Sequence, residues 1–419
     1  MTIFRPPKIR MLTMLLLGGC CFFQLLWIAW AHSRDLPIPS LHPFIDNGAY
    51  ALQIDGKILR SHNLETSFVP ASTIKVLTGL MALDTLGPQF RFTTYFYRDN
   101  ANNVYIKGEG DPFLTSEAIT RIAAELKKRE VTEINTLVFD NSAFALEGSP
   151  AHSGNSDNPY DAPSAALTVN FNTIPFTVTK DRKVLSGEKQ TPFLPMMETL
   201  ASRYPEGSHR INVNAIPAVT KHSNTIRYSG ELFTAIFKDH GITVLNGFST
   251  GRIPQNAVSL LVYKSDKTVT DLVRLCLQYS NNFIANQLYL TCGSKLFGYP
   301  ATWEKAHKAA EQYVTRKLKL TSMQIRQVDG SGLSTQNKIS AAAMLRVLEN
   351  FRPYVKLLPR EKSIYLKSGT LTNVYTFVGY FHNTSGFSPF VIFLNQKANT
   401  RNRVLHLLEK EHATLNRSL

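Results

Sequence analysis

Cysteine is scarce in this chain of 419 residues: there are four, and Cys20 and Cys21 fall in an apolar run near the start. No Cys/His cluster has metal-ligand spacing, so the common zinc and iron–sulfur classes drop out and no cofactor is expected. Cys276 and Cys292 remain, in one helical-looking region where their separation would usually hold them too far apart to bridge. They read as two buried thiols, although an oxidising compartment would permit a disulfide. Acidic residues are also short, 31 against 46 Lys and Arg, a formal net charge of +15. That excess suits anionic wall polymers or lipid headgroups. The basic residues are scattered and no basic–aromatic motif appears, so no nucleic-acid partner is expected. No segment recurs at a period of about 20–50 residues, which excludes solenoids and propellers. With 43% hydrophobic and 18% charged residues, the chain is long enough for two or three domains with real cores.

One long hydrophobic run is present. Arg5, Lys8 and Arg10 precede an apolar stretch from Met11 to Ala31. Ala29-Trp30-Ala31 fits a small-x-small cleavage site. The same run is long enough to span a bilayer, with Trp27 and Trp30 placed as an interfacial belt. Lipidation at Cys20 is a third reading. Each delivers the chain across a membrane, so a periplasmic or other extracytoplasmic location is expected, with inner-membrane association if the segment is retained.

Beyond residue 31, AYALQIDGKILRSHN reads as a hairpin turning at Asp55-Gly56. A helix over about Ser72 to Leu86 follows. Residues 88–255 differ in character, with strands, turns, one helix over Ser116 to Arg129 and a polar loop from Gly148 to Pro163. Helical pattern returns in SGELFTAIFKDHG and in TVTDLVRLCLQYSNNFIANQLYLTCG, and again from about Ser340 to Asn350. YTFVGYFH and PFVIFLN read as strands joined by NTSG, before a helix over about Thr400 to Leu415. The pattern implies an α+β core of residues 32–87 and 256–419, a sheet flanked by helices, interrupted by a β-rich insertion at 88–255.

The helix in FVPASTIKVLTGLMAL buries Val76, Leu77 and Leu80, yet opens on Ser72 and Lys75. Positions three apart share a helical face. A lone SxxK signals little: SGEK at Ser186 to Lys189 is a decoy in a turn-like stretch. Two further elements change that. Lys367-Ser368-Gly369-Thr370 holds the only K-[ST]-G of the chain, and Ser280-Asn281-Asn282 is the S-x-N that lies between helical stretches. The three in this order form the signature of penicillin-binding proteins and class A β-lactamases.

The chemistry explains the residue types. A serine hydroxyl needs a base within hydrogen-bond reach. Lys75 can serve if burial and the charge of Lys367 depress its pKa toward the working pH. Backbone N–H groups at the helix start face developing negative charge on Ser72. Lys367 would take a substrate carboxylate, and Gly369 would let a peptide lie against the strand by strand addition. DGSGLS and Gly110-Asp111-Pro112 read as structural turns.

The chain resembles the penicillin-binding protein 4 type of D-alanyl-D-alanine carboxypeptidase/endopeptidase, the class C low-molecular-mass penicillin-binding proteins. The likeness rests on the three elements and on VYIKGEGDPFLT, LVFDNSAF, YDAPSAALTVNFN, HGITVLNG and VDGSGLSTQNKIS. It implies the serine β-lactamase/DD-peptidase-like transpeptidase fold and no cofactor. Peptidoglycan stem peptides and cross-links would be the substrates, and β-lactams the inhibitors. By resemblance, Ser72 is the acylated nucleophile and Lys75 the base. Ser280 relays protons, Asn282 holds the substrate backbone, and Lys367 with Ser368 or Thr370 binds the terminal carboxylate. The N–H groups of Ser72 and Thr370 form the oxyanion hole. Asp140, at the end of LVFD, would face the cleft and take the amino group of a diamino acid. Asn281 stands where Asp is common, Ser368 where Thr is common, and the insertion is shorter than in the longer members. A serine β-lactamase and a turnover-deficient peptidoglycan-binding protein are the competing readings.

Overall fold

The computed structural model describes residues 41–147, 156–215, 223–383 and 386–418. The N-terminal segment, with its cleavage, anchor and lipidation alternatives, lies outside the described residues. Among the described residues no helix is long and apolar enough to cross a membrane.

The chain's two ends build one sheet. Its six strands run in the order Arg360–Glu361, Ile364–Leu371, Val374–Asn383, Gly386–Leu394, Gly48–Ile54 and Lys57–His62. All neighbours are antiparallel, and Ala51 lies opposite Val391 where the ends meet. The Asp55-Gly56 turn closes the first hairpin as expected, both residues having positive φ. Side-chain alternation divides the sheet between two cores. Ala49, Ala51, Val378, Val391 and Phe393 face the helices. Leu52, Ile54, Ile392 and Leu394 face Val404 and Leu408 of the C-terminal Arg401–Ser418 helix. Gly48–Ile54 is covered on both faces and buried at every position.

The helix Lys75–Leu86 is buried from Lys75 through Leu83, because it is surrounded by other elements. Around it pack Val269–Gln278, Asn282–Phe297 and Ala341–Phe351. Ser72 does not open this helix. It lies in a preceding 3₁₀ turn, Ala71–Ile74, entered through Ala71 at φ +48°. Positive φ on an alanine is strained backbone, held here by its surroundings.

The inserted part has a separate core. Its main sheet runs Phe248–Thr250, Leu137–Asp140, Val104–Gly108, Arg91–Arg98 and Val258–Thr268, and a smaller sheet comprises Gly207–Asn212, Thr173–Val178 and Val184–Ser186. Helices Ser116–Lys128, Pro195–Ala201 and Asn224–Asp239 share the core with these sheets, so the β-rich insertion carries Pro195–Ala201 besides the helices expected at Ser116 and in SGELFTAIFKDHG. The expected boundary at residue 255 is also too early. Val258–Thr268 pairs antiparallel with Arg91–Arg98, and the chain returns to the first core only at Thr268. There Thr268 and Asp271 form a reciprocal capping box, and Val269, Leu272 and Val273 pack around the Lys75–Leu86 helix.

Candidate active site

The three sequence elements meet at one end of the Lys75–Leu86 helix. Lys75 is wholly buried. Its Nζ lies 2.8 Å from Ser72 Oγ, 2.7 Å from Asn282 Oδ1 and 2.5 Å from the Ser331 carbonyl oxygen. The Asn282 amide is oriented by its other end, since Nδ2 donates to the Tyr160 carbonyl at 3.0 Å. Burial lowers the Lys75 pKa from an ordinary 10.5 to about 7, and the charge of Lys367 pushes the same way. Cys276 would oppose this as a thiolate. Burial holds its own pKa at about 11, however, so at neutral pH it is an uncharged thiol.

The second pair is Ser280 with Lys367. Lys367 Nζ donates to Ser280 Oγ at 2.9 Å and to the Ser368 carbonyl at 2.8 Å. Burial brings its pKa down to about 8, with the guanidinium of Arg401 adding to the shift. Ser280 occupies the turn between Val269–Gln278 and Asn282–Phe297 at φ +53°. The following helix is capped by Asn281, whose side chain accepts from Ile284 N at 2.8 Å. Asn and Asp cap equally well, which accounts for Asn281 where Asp is common. The cap is therefore Asn281, and Asn282 is free to serve Lys75.

Gly369 has a different geometric role from the one expected. A Cβ there would lie 2.9 Å from Ser72 N, 2.8 Å from Pro70 O and 2.4 Å from Thr376 Oγ1. Glycine lets the strand lie close against the turn that carries Ser72. From Lys367 onward the strand pairs only with Val374–Asn383 among the described residues, leaving an open edge. Ser368 is partly exposed and Thr370 exposed on the opposite face from Lys367.

DGSGLS was expected to be a structural loop, and it also reaches the site. The Asp329 carboxylate accepts the backbone amides of Ser331, Gly332 and Ser334, folding the loop around itself. Gly332, at φ +81°, has room only for hydrogen, because a Cβ would sit 2.0 Å from Ala71 O. The result is the Ser331 carbonyl aimed at Lys75. Thr78 Oγ1 fixes the same loop by donating to Gly330 O at 2.7 Å.

Asp140 ends the Leu137–Asp140 strand as expected, but its carboxylate is committed to nearby backbone amides rather than open to a cleft. It is 4% exposed, with one carboxylate oxygen accepting from Ser142 N at 2.9 Å and the other from Ile253 N at 3.3 Å. Among the described residues no hydrogen bond joins it to the Ser72 cluster. A carboxylate at a strand end satisfies the backbone of the next turn, and here it ties two loops together. Asp111 does similar work, accepting from Phe113 N and Ser265 Oγ. Cys276 and Cys292 are free and buried, as expected of packing thiols.

Two serine–lysine pairs, an amide and an open strand edge meet on a fold of the serine DD-peptidase class. Comparison with known proteins agrees. The profile of the D-Ala-D-Ala carboxypeptidase 3 (S13) family matches residues 47–359, and the chain belongs to that family of peptidoglycan-acting serine peptidases. It is 25% identical over 399 residues to a D-alanyl-D-alanine carboxypeptidase of Haemophilus influenzae, covering 81% of this chain and 83% of the relative. It is 24% identical to a D-alanyl-D-alanine carboxypeptidase of an Actinomadura species, covering 70% of this chain and 62% of the relative. Penicillin-binding protein 4 of H. influenzae superposes with a TM-score of 0.70 at 22% identity, over 84% of this chain and 91% of that one. The resemblance and fold class read from the sequence are borne out.

Proposed function

We propose that Ser72 attacks the carbonyl of the penultimate D-alanine in a peptidoglycan stem or cross-link, forming an acyl-enzyme that water then hydrolyses. The observation that carries this reading is the set of three partners around Lys75 Nζ. A neutral amine has two N–H groups and one lone pair. The Asn282 oxygen and the Ser331 carbonyl can only accept, so they take both N–H groups. The lone pair is left facing the Ser72 hydroxyl, as a general base requires. Ser280 relays to the leaving amine the proton that Lys75 took from Ser72, and cationic Lys367, bonded to Ser280, attracts the terminal carboxylate. The N–H groups of Ser72 and Thr370 hold the oxyanion. One Asn282 N–H remains for the substrate backbone after the bond to Tyr160.

Residues 1–31 would deliver the domain to the wall as a signal or an anchor. The mass of the mature N-terminus distinguishes these. Fluorescent penicillin tests the central step, because a β-lactam presents a strained acyl donor to the same nucleophile. The adduct is expected on the peptide bearing Ser72 and absent in Ser72→Ala; labelling retained in that variant overturns the assignment. Mass identification of products from cross-linked and uncross-linked muropeptides then separates endopeptidase from carboxypeptidase action.

A further inference from the structure

We propose that Arg401 positions the Thr370 hydroxyl to donate to the substrate's terminal carboxylate, making Arg401 a specificity determinant for ligands that end in a free acid. The inference deepens the reading above and rests on it. Arg401 is the first residue of the C-terminal helix, far in sequence from the three catalytic elements. Its Nη1 donates to Gly369 O at 2.7 Å and to Thr370 Oγ1 at 2.8 Å. Its guanidinium lies over the Phe377 ring, 4.5 Å from the centroid, and Phe377 is the cross-strand partner of Ser368. These contacts fasten it to the Ile364–Leu371 strand and to its neighbour Val374–Asn383.

Two arguments take the placement beyond packing. A hydroxyl has one hydrogen, and arginine can only donate. Bonded to Arg401, Thr370 Oγ1 is held as an acceptor on that side, which turns its own O–H elsewhere. Thr370 is exposed at the open strand edge, and among the described residues its O–H meets no acceptor. The second argument is charge. A cation in the first turn of a helix opposes the helix dipole. No acidic residue accompanies Arg401 in that turn, no ion pair engages it among the described residues, and its Nε is buried without a partner. The open strand edge thus holds a fixed cation without a protein anion, next to an oriented hydroxyl. An incoming carboxylate completes it.

The test compares, in the soluble protein, peptides ending in D-alanyl-D-alanine as the free acid and as the amide. Arg401→Gln is expected to lower kcat/KM for the acid by about tenfold to 100-fold, the scale of a hydrogen bond to a charged group. The loss should lie mainly in KM, with the amide changed by less than about twofold. In a Thr370→Val background the same change should cost the acid less than about threefold, since the hydroxyl it positions is gone. Arg401→Lys keeps the charge without the fork and should show a smaller loss, again confined to the acid. Equal losses on acid and amide, in either Arg401 variant, would make Arg401 a strut for the helix and overturn the proposal. Normal penicillin labelling of Ser72 beside such a result would leave the acyl-enzyme reading intact. Absence of labelling in the wild type would instead remove that reading and this one together.

Discussion

The two serine–lysine pairs have nearly the same Nζ–Oγ distance, 2.8 Å for Lys75–Ser72 and 2.9 Å for Lys367–Ser280, yet they are suited to opposite tasks. Burial is the leading cause of the depressed pKa in both. The neighbours make the difference. Lys75 is enclosed by an amide oxygen and a loop carbonyl, and the charge of Lys367 presses on it. Lys367 lies on the strand that ends in an open edge, where a substrate anion can compensate its charge. As pH rises, the Lys75 proton leaves first, at about 7, and the Lys367 proton follows at about 8. Between those values Lys75 is largely neutral while Lys367 keeps its charge, as the proposed roles of base and anchor require. Distance alone does not assign a lysine to base or anchor; the acceptors and charges around it do.

Breaking the first pair should have the largest effect. Lys75→Ala is expected to slow acylation about 100-fold or more, the usual scale of general-base loss. Lys75→Arg should be as damaging, since arginine keeps the charge but cannot give up its proton. Stopped-flow labelling with penicillin measures both, and a near-normal rate in the arginine variant would mean that charge rather than basicity matters. Lys367→Ala should next reduce kcat/KM for free-acid substrates about tenfold to 150-fold, and less for amides. It should also move the rising limb of the pH profile upward, because removing the Lys367 charge raises the Lys75 pKa. An unmoved limb would show that the two lysines are not coupled. Asp140→Ala should have the smallest effect. It leaves two partly buried amides without their acceptor, so stability should fall by about 1–3 kcal/mol. Turnover of all substrates should change alike. A selective loss on peptides with a free diamino-acid amine would restore Asp140 as a recognition residue.

Local patterns carried the sequence reading where the structure depends on local chemistry. The Asp55-Gly56 hairpin, the apolar Lys75–Leu86 helix and the final strand pair all lie within about three residues of expectation. Ser72, Lys75, Ser280, Asn282 and Lys367 converge as their order along the chain suggested. What escaped was set by distant partners or by backbone. The Ser331 contact uses a carbonyl oxygen, which every residue has, so no side-chain pattern announces it. Val258–Thr268 belongs to the insertion because it pairs with Arg91–Arg98, a contact invisible in its own residues. Asp140 was placed correctly at a strand end, but its burial depends on the Ile253 amide, remote in sequence. Arg401 gave no signal, because its meaning lies wholly in what it touches.

The most direct test of the account is the pH dependence of Ser72 acylation by a fluorescent penicillin. In the wild type the second-order rate should rise through about pH 7 as Lys75 loses its proton. It should fall above about pH 8 as Lys367 loses the charge that holds the penicillin carboxylate. In Lys75→Ala the rising limb should vanish along with most of the rate. A wild-type rate that is flat across that range, or a rising limb that persists at the same pH without Lys75, would contradict the assignment of Lys75 as the base.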